Sequence, residues 1–148
     1  MCASVSPLDN SKEQKISEKP ENITDKIPSH LDKHYNEYKK LYLQKEFDDR
    51  LKNILLIAGI YEIHLTEYIY NDNIDEDLLS AKEQEDPENV EKFFTNQIAN
   101  IINQLEDLYK QYKNDIYHIA IIAREHKHKV QKRFEMLLKS LIDKLKGT

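Results

Sequence analysis

The sequence predicts an all-α protein, an antiparallel three- or four-helix bundle preceded by a disordered N-terminal tail. Three observations carry that expectation. Among 148 residues there are two glycines and four prolines, and three of those prolines (Pro7, Pro20, Pro28) stand near the start. Turn-rich β architectures need such residues at their reversals, so their scarcity selects long helices. Beyond residue 28, apolar residues recur at intervals of three and four, the period of one helix face, and the segments between these stripes are short.

The elements follow in order. Residues 1–28 carry Ser, Lys, Glu, Asn and Pro, with scattered apolar residues in no sustained period. Such a segment buries too little surface to offset its ordering entropy, so it is expected to be disordered, and residues 29–148 to form the bundle. Asn22-Ile23-Thr24 has the glycosylation pattern, which a polar tract also produces by chance. Ser29 is a suitable N-cap, with Asp32 complementing the helix N-terminus. Leu31, Tyr35, Tyr38 and Tyr42 draw one apolar stripe. A second phase runs through Phe47, Leu51, Ile54, Leu55, Ala58, Tyr61, Leu65, Tyr68 and Ile69. The five-residue step from Tyr42 to Phe47 breaks register, so either a first helix ends near Gln44 or a long one bends there.

Asn71-Asp72-Asn73 stops that helix, and a single helical turn is expected around Asp77–Ala81. Asp86-Pro87-Glu88 is a strong helix start, with Asp as N-cap and Pro at the first helical position. Phe94, Ile98, Ile101, Ile102, Leu105, Leu108, Tyr109 and Tyr112 trace the next stripe. Lys113-Asn114-Asp115 separates it from a last one through Ile116, Ile119, Ala120, Ala123, Val130, Phe134, Leu137, Leu138, Leu141 and Leu145, unless both belong to one continuous helix. Gly147 is placed as a C′ residue. Mid-helix Gly59 costs about 1 kcal/mol against Ala, which suggests a close helix contact.

Composition narrows the function classes. One cysteine excludes an intramolecular disulfide framework. The longest apolar segment, Ile54–Tyr61, falls far short of the roughly 20 residues of a membrane span. No apolar signal-peptide core follows the start, so an exported form would have lost its signal from this sequence. Charge is unevenly distributed. Glu62–Glu91 holds eleven acids against Lys82 alone, while Arg124–Lys146 holds eight bases against three acids. The basic stretch, with Lys127, Lys129, Lys132 and Arg133, is either a solvated face or a site for an anionic surface such as a glycosaminoglycan or an acidic protein patch. The acidic segment repels phosphate and no groove-reading motif is present, so nucleic acid is not an expected partner.

No catalytic constellation stands out, and the chain is expected not to be an enzyme and to need no cofactor or metal. His30 and His34 share a helix face without a third ligand nearby. Glu125-x-x-His128 is one half of a di-iron motif whose other half is missing. His64 and His118 lie beside apolar residues on separate helices, and meeting in the core they would line a small-ligand site. Nine tyrosines suit half-buried core edges and interfaces alike, and Tyr35, Tyr38 and Tyr42 form the row to be inspected first for a partner surface.

Met1-Cys2-Ala3-Ser4, the polar leader and a Lys/Ile/Asn-rich helical domain together resemble a mature bacterial lipoprotein, and more narrowly the all-helical surface lipoproteins of Borrelia spirochaetes. That resemblance implies an acylated Cys2 as first mature residue, a tether over residues 3–28 and a helical head on the bacterial outer surface. It also implies binding of host proteins such as complement regulators or matrix components. A cytosolic or viral interaction module with an incidental Cys2, and a small-ligand-binding bundle, stand beside it as alternatives.

Overall fold

The computed structural model describes residues 32–147; Cys2, the expected tether, the Asn22 sequon, Ser29, His30 and Leu31 lie outside them. Contacts within the chain divide it into two units, Met1–Leu43 and Gln44–Thr148. Three long helices account for most of the described residues: α1 (Asp32–Asn71), α2 (Pro87–Tyr112) and α3 (Tyr117–Lys146). Helices α2 and α3 together with the part of α1 in the larger unit make a three-helix bundle, as the sequence predicts.

α1 is one continuous helix, so the step between Tyr42 and Phe47 ends nothing. In the smaller unit Tyr38 and Tyr42 are exposed (72 % and 41 %), as is Leu41. Tyr38 and Tyr42 of the first stripe are therefore not core positions, and their phase has no need to match that of the next stripe. From Phe47 onward α1 buries Phe47, Leu51, Ile54, Ala58 and Leu65. It stops at Asp72, which adopts a left-handed φ of 54° and returns its amide to the Tyr68 carbonyl at 3.0 Å. Asp tolerates that conformation better than most residues because its side chain is short and polar.

The connection from Asp72 to Asp86 is acidic but well ordered by its own hydrogen bonds. Leu78 and Leu79 return their amides to the Asp75 carbonyl, one turn that begins slightly ahead of the expected Asp77–Ala81. Ser80 and Glu83 form a reciprocal capping box, Glu83 N–H to Ser80 Oγ at 3.2 Å and Ser80 N–H to Glu83 Oε1 at 2.9 Å. A short 3₁₀ turn, Glu83–Glu85, follows. Gln84 donates its amide to the carbonyls of Leu79 (2.7 Å) and Ile74 (3.3 Å), which holds buried Ile74 and Leu79 against the bundle.

Asp86 caps α2 by accepting the Glu88 amide at 3.0 Å, with Pro87 at the first helical position. The Tyr112 carbonyl accepts from both Asp115 (3.1 Å) and Ile116 (3.0 Å), and this tight turn makes two helices of residues 87–146. α2 buries Val90, Phe94, Ile98, Ile101, Leu105, Leu108, Tyr109 and Tyr112, α3 buries Ala120, Ala123, Phe134, Leu137 and Leu141, and the two helices pack against each other. Fully buried Ala120 and Ala123 allow the α2 and α3 backbones to approach closely. Phe47 meets Tyr112 edge-to-face at 5.5 Å, and Tyr61 meets Phe93 at 6.1 Å. At the far end Gly147 has φ −75° and continues the helical bonding to Asp143, so the expected left-handed C′ glycine is replaced by one more right-handed turn.

Candidate functional site

The face of α1 turned away from its core residues carries Leu56 (63 % exposed), Ile60 (43 %), Ile63 (63 %) and Tyr70 (77 %). At 100° per residue these four fall within about 80° of one another, on the side opposite Phe47, Leu51, Ile54, Ala58 and Leu65. Gly59 lies on the same exposed side, and a Cβ built on it meets nothing within 4 Å. Among the described residues the close helix contact expected at Gly59 is not seen: a Cβ there would face open space. α1 is thus apolar on two opposite faces, only one of which the bundle uses. A helix that is apolar on both sides is ordinarily covered on both sides. Sequence reasoning missed this row because Leu56, Ile60 and Ile63 sit among the apolar residues of Ile54–Tyr61, where composition alone does not tell one face from the other.

The polar border of the row is charged and patterned. Lys45 and Asp49 pair at 2.9 Å before it, followed by exposed Lys52 and Asn53. Glu67 lies between Ile63 and Tyr70 and accepts from the Asn71 side chain at 3.3 Å.

The basic helix behaves differently from its sequence pattern. Arg124 makes two bonds to Glu106, Nε to Oε1 at 3.2 Å and Nη2 to Oε2 at 2.9 Å, and lies 4.0 Å over the Tyr109 ring. Lys127 reaches the same carboxylate at 3.2 Å. The Arg124 fork, with Lys127 beside it, holds the Glu106 carboxyl well below its ordinary 4.5, at about 2. Arg133 pairs with Glu62 at 2.9 Å and Lys144 with Asp72 at 2.7 Å. Of the four predicted binding cations, Lys127 and Arg133 are therefore committed to acids of the same chain. Lys129 and Lys132 remain exposed, beside a shallow surface depression shared with His128, Gln131 and Glu135. The acidic and basic halves of the sequence partly neutralise one another across the bundle.

The small-ligand arrangement is not assembled. His118 is exposed and His64 half-buried. The Glu62–Arg133 and Asp72–Lys144 pairs set α1 and α3 level about 71 positions apart in sequence, so His64 comes level with residue 135. His118 lies 17 residues earlier, about 25 Å along the helix. A groove of about 280 Å³ between α1 and α2 is lined by Arg50, Asn53, Gln104, Asp107 and Gln111. It is crossed by the Arg50 Nη1–Gln111 Oε1 hydrogen bond at 2.8 Å. Among the described residues no group of three or more His, Cys, Asp and Glu is gathered to hold a metal ion. No helix among them is long and apolar enough to cross a membrane. Tyr35 is half-buried, and His34 and Glu37 approach to 3.7 Å on the exposed side of the first turns.

Comparison with family models, with curated proteins and with solved structures finds no match to this chain.

Proposed function

We propose that the chain is a non-enzymatic helical interaction module that makes protein contacts through the outward face of α1. The observation that carries this reading is the row Leu56, Ile60, Ile63 and Tyr70, exposed on a helix whose opposite face already supplies the core. Scattered single apolar residues are ordinary on a surface, but four in helical register form a patch with a direction. Each such side chain gains up to about 1.5–3 kcal/mol when fully removed from water, so covering the row favours association. A site-specific photocrosslinker at Leu56 or Ile63, used in the native cell, is expected to give discrete protein adducts. The same label at exposed Asn103 on α2 is expected to give none. Equal yields at all three positions would remove the reading.

Cys2 at the head of a polar leader supports a fuller form of the same reading, a lipid-anchored head at a bacterial surface that engages a host protein or matrix component. One acyl chain holds a protein only marginally, so the anchor in that form carries several chains. An alkyne fatty acid fed to the source cells should label the wild-type protein and leave Cys2→Ser unlabelled. An unlabelled wild type leaves the interaction module without an anchor.

A further inference from the structure

We propose that the occupant of the outward α1 face is a second copy of this chain, paired antiparallel about a two-fold axis beside Gly59 and Ile60. The inference rests on the reading of that face as a contact surface and names its partner.

The residues around the row are arranged for this pairing. An isologous contact places each residue against its counterpart on the other side of the axis, so every contact occurs twice. With the axis between Gly59 and Ile60, Gly59 comes level with the partner's Ile60, and Leu56 with the partner's Ile63. Lys52 comes level with the partner's Glu67, and Asp49 with the partner's Tyr70. Positions 49, 53, 56, 60, 63, 67 and 70 alternate steps of four and three, the spacing of a coiled-coil seam. The missing Cβ of Gly59, with nothing near it in one copy, leaves room for the partner's Ile60 on the axis. Orientation is decided by charge. A parallel pair would set Lys52 against Lys52, Asp49 against Asp49 and Glu67 against Glu67. The antiparallel pair sets a cation by an anion at both ends and a carboxylate by a phenol. From Asp49 to Tyr70 the seam is about 32 Å long and one helix wide. That is below the area of a standard stable interface, so the pair is weak and its population follows concentration.

The test is sedimentation equilibrium of the full chain over roughly 5–500 µM, where the weight-average mass should rise from 17.6 kDa toward twice that value. Ile60→Lys, at an already exposed position, should hold the mass at one chain while leaving the thermal unfolding curve in place. Lys52→Glu and Glu67→Lys should each weaken association by roughly tenfold, because each alters two contacts at once. The double variant Lys52→Glu/Glu67→Lys should restore it. One species of 17.6 kDa at every concentration overturns the inference, as does a dimer indifferent to Ile60→Lys. A double swap as weak as the single variants overturns the antiparallel pairing. A monomer that still gives position-specific crosslinks from Leu56 and Ile63 keeps the interaction face and removes only the second copy. A monomer without such crosslinks removes both.

Discussion

Arg124 on α3 grips Glu106 on α2 with two guanidinium nitrogens, and Lys127 closes on the same carboxylate from one turn further along. Lys127 stands in core register, four residues after Ala123 and seven before Phe134, where an apolar residue would ordinarily point inward. Its side chain is 23 % exposed and that of Glu106 18 %, so these two lie at the edge of the α2–α3 seam, with the Arg124 side chain more open to solvent. A polar group held in a helical seam is satisfied in one register only, which fixes how the two helices slide. This reading makes the cluster structural, despite the displaced carboxyl.

The pH dependence follows from Glu106. Its carboxyl, lowered from 4.5 to about 2 by the Arg124 fork and by Lys127, is ionised in the fold at pH values where the unfolded chain is already protonated. The stabilisation is therefore complete above about pH 4.5 and is lost as pH falls toward about 2. Glu106→Gln should lower stability by about 1–2 kcal/mol at pH 7, the worth of hydrogen bonds to a charged group at a partly wet site. The difference from wild type should shrink at pH 2.5. Urea unfolding at both values checks this. Lys127→Ala should also destabilise, whereas Lys129→Ala, on the exposed side, should leave the midpoint unchanged.

Tyr112 ties the other end of the bundle. Its ring is buried against Phe47, its hydroxyl donates to the Glu46 carboxylate, and the Arg50 guanidinium lies 5.7 Å from its centroid. Tyr112→Phe keeps the packing and removes the donor, with an expected loss of about 1 kcal/mol. Tyr112→Ala opens a cavity as well and should cost about 3–5 kcal/mol. In a double-mutant cycle, Tyr112→Phe and Glu46→Ala should fall short of additivity. Additive losses would mean that the hydroxyl and the carboxylate contribute separately.

How much of this was legible in the sequence depends on how local each signal is. The start of α2 was clear because Asp86 and Pro87 act on their immediate neighbours. The core stripes of α2 and α3 were clear because the apolar residues of each concentrate on one face. The break at Ile116 was ambiguous: no glycine or proline marks it, and the two stripes nearly share a phase across it. Lys127 looked like one more member of a basic run, since its partner Glu106 is 21 residues away. The outward row on α1 was invisible because the two apolar faces overlap along the chain, and only the fold decides which of them is used. His64 and His118 failed as a pair for a related reason, since helix register is set by contacts distant in sequence.

Asp72 offers a test of local backbone strain. A non-glycine residue at φ 54° carries a cost of about 1–2 kcal/mol unless its side chain suits that region, as Asp and Asn do. Asp72→Asn keeps that tolerance and removes only the charge that meets Lys144, a contact whose Asp72 side is open to solvent, so its effect should be small and should shrink at high salt. Asp72→Ala loses both and should fall about 1 kcal/mol below Asp72→Gly. Thermal unfolding of the three variants at low and high salt separates the two effects.

Gly59 joins the stability of one copy to the pairing of two. It lies in the middle of α1 with right-handed geometry and open space where a side chain would stand. Gly59→Ala reduces the freedom of the unfolded chain without meeting any neighbour, so a single copy should gain about 0.8–1.0 kcal/mol. In the pair the same methyl would stand on the axis against the partner's Ile60 and push the helices apart. Association should weaken by several-fold while the unfolding midpoint of a dilute sample rises. A variant that gains stability and keeps its association unchanged would show that the two copies do not approach at Gly59. One that gains no stability would show that the outward face is already covered in the free chain.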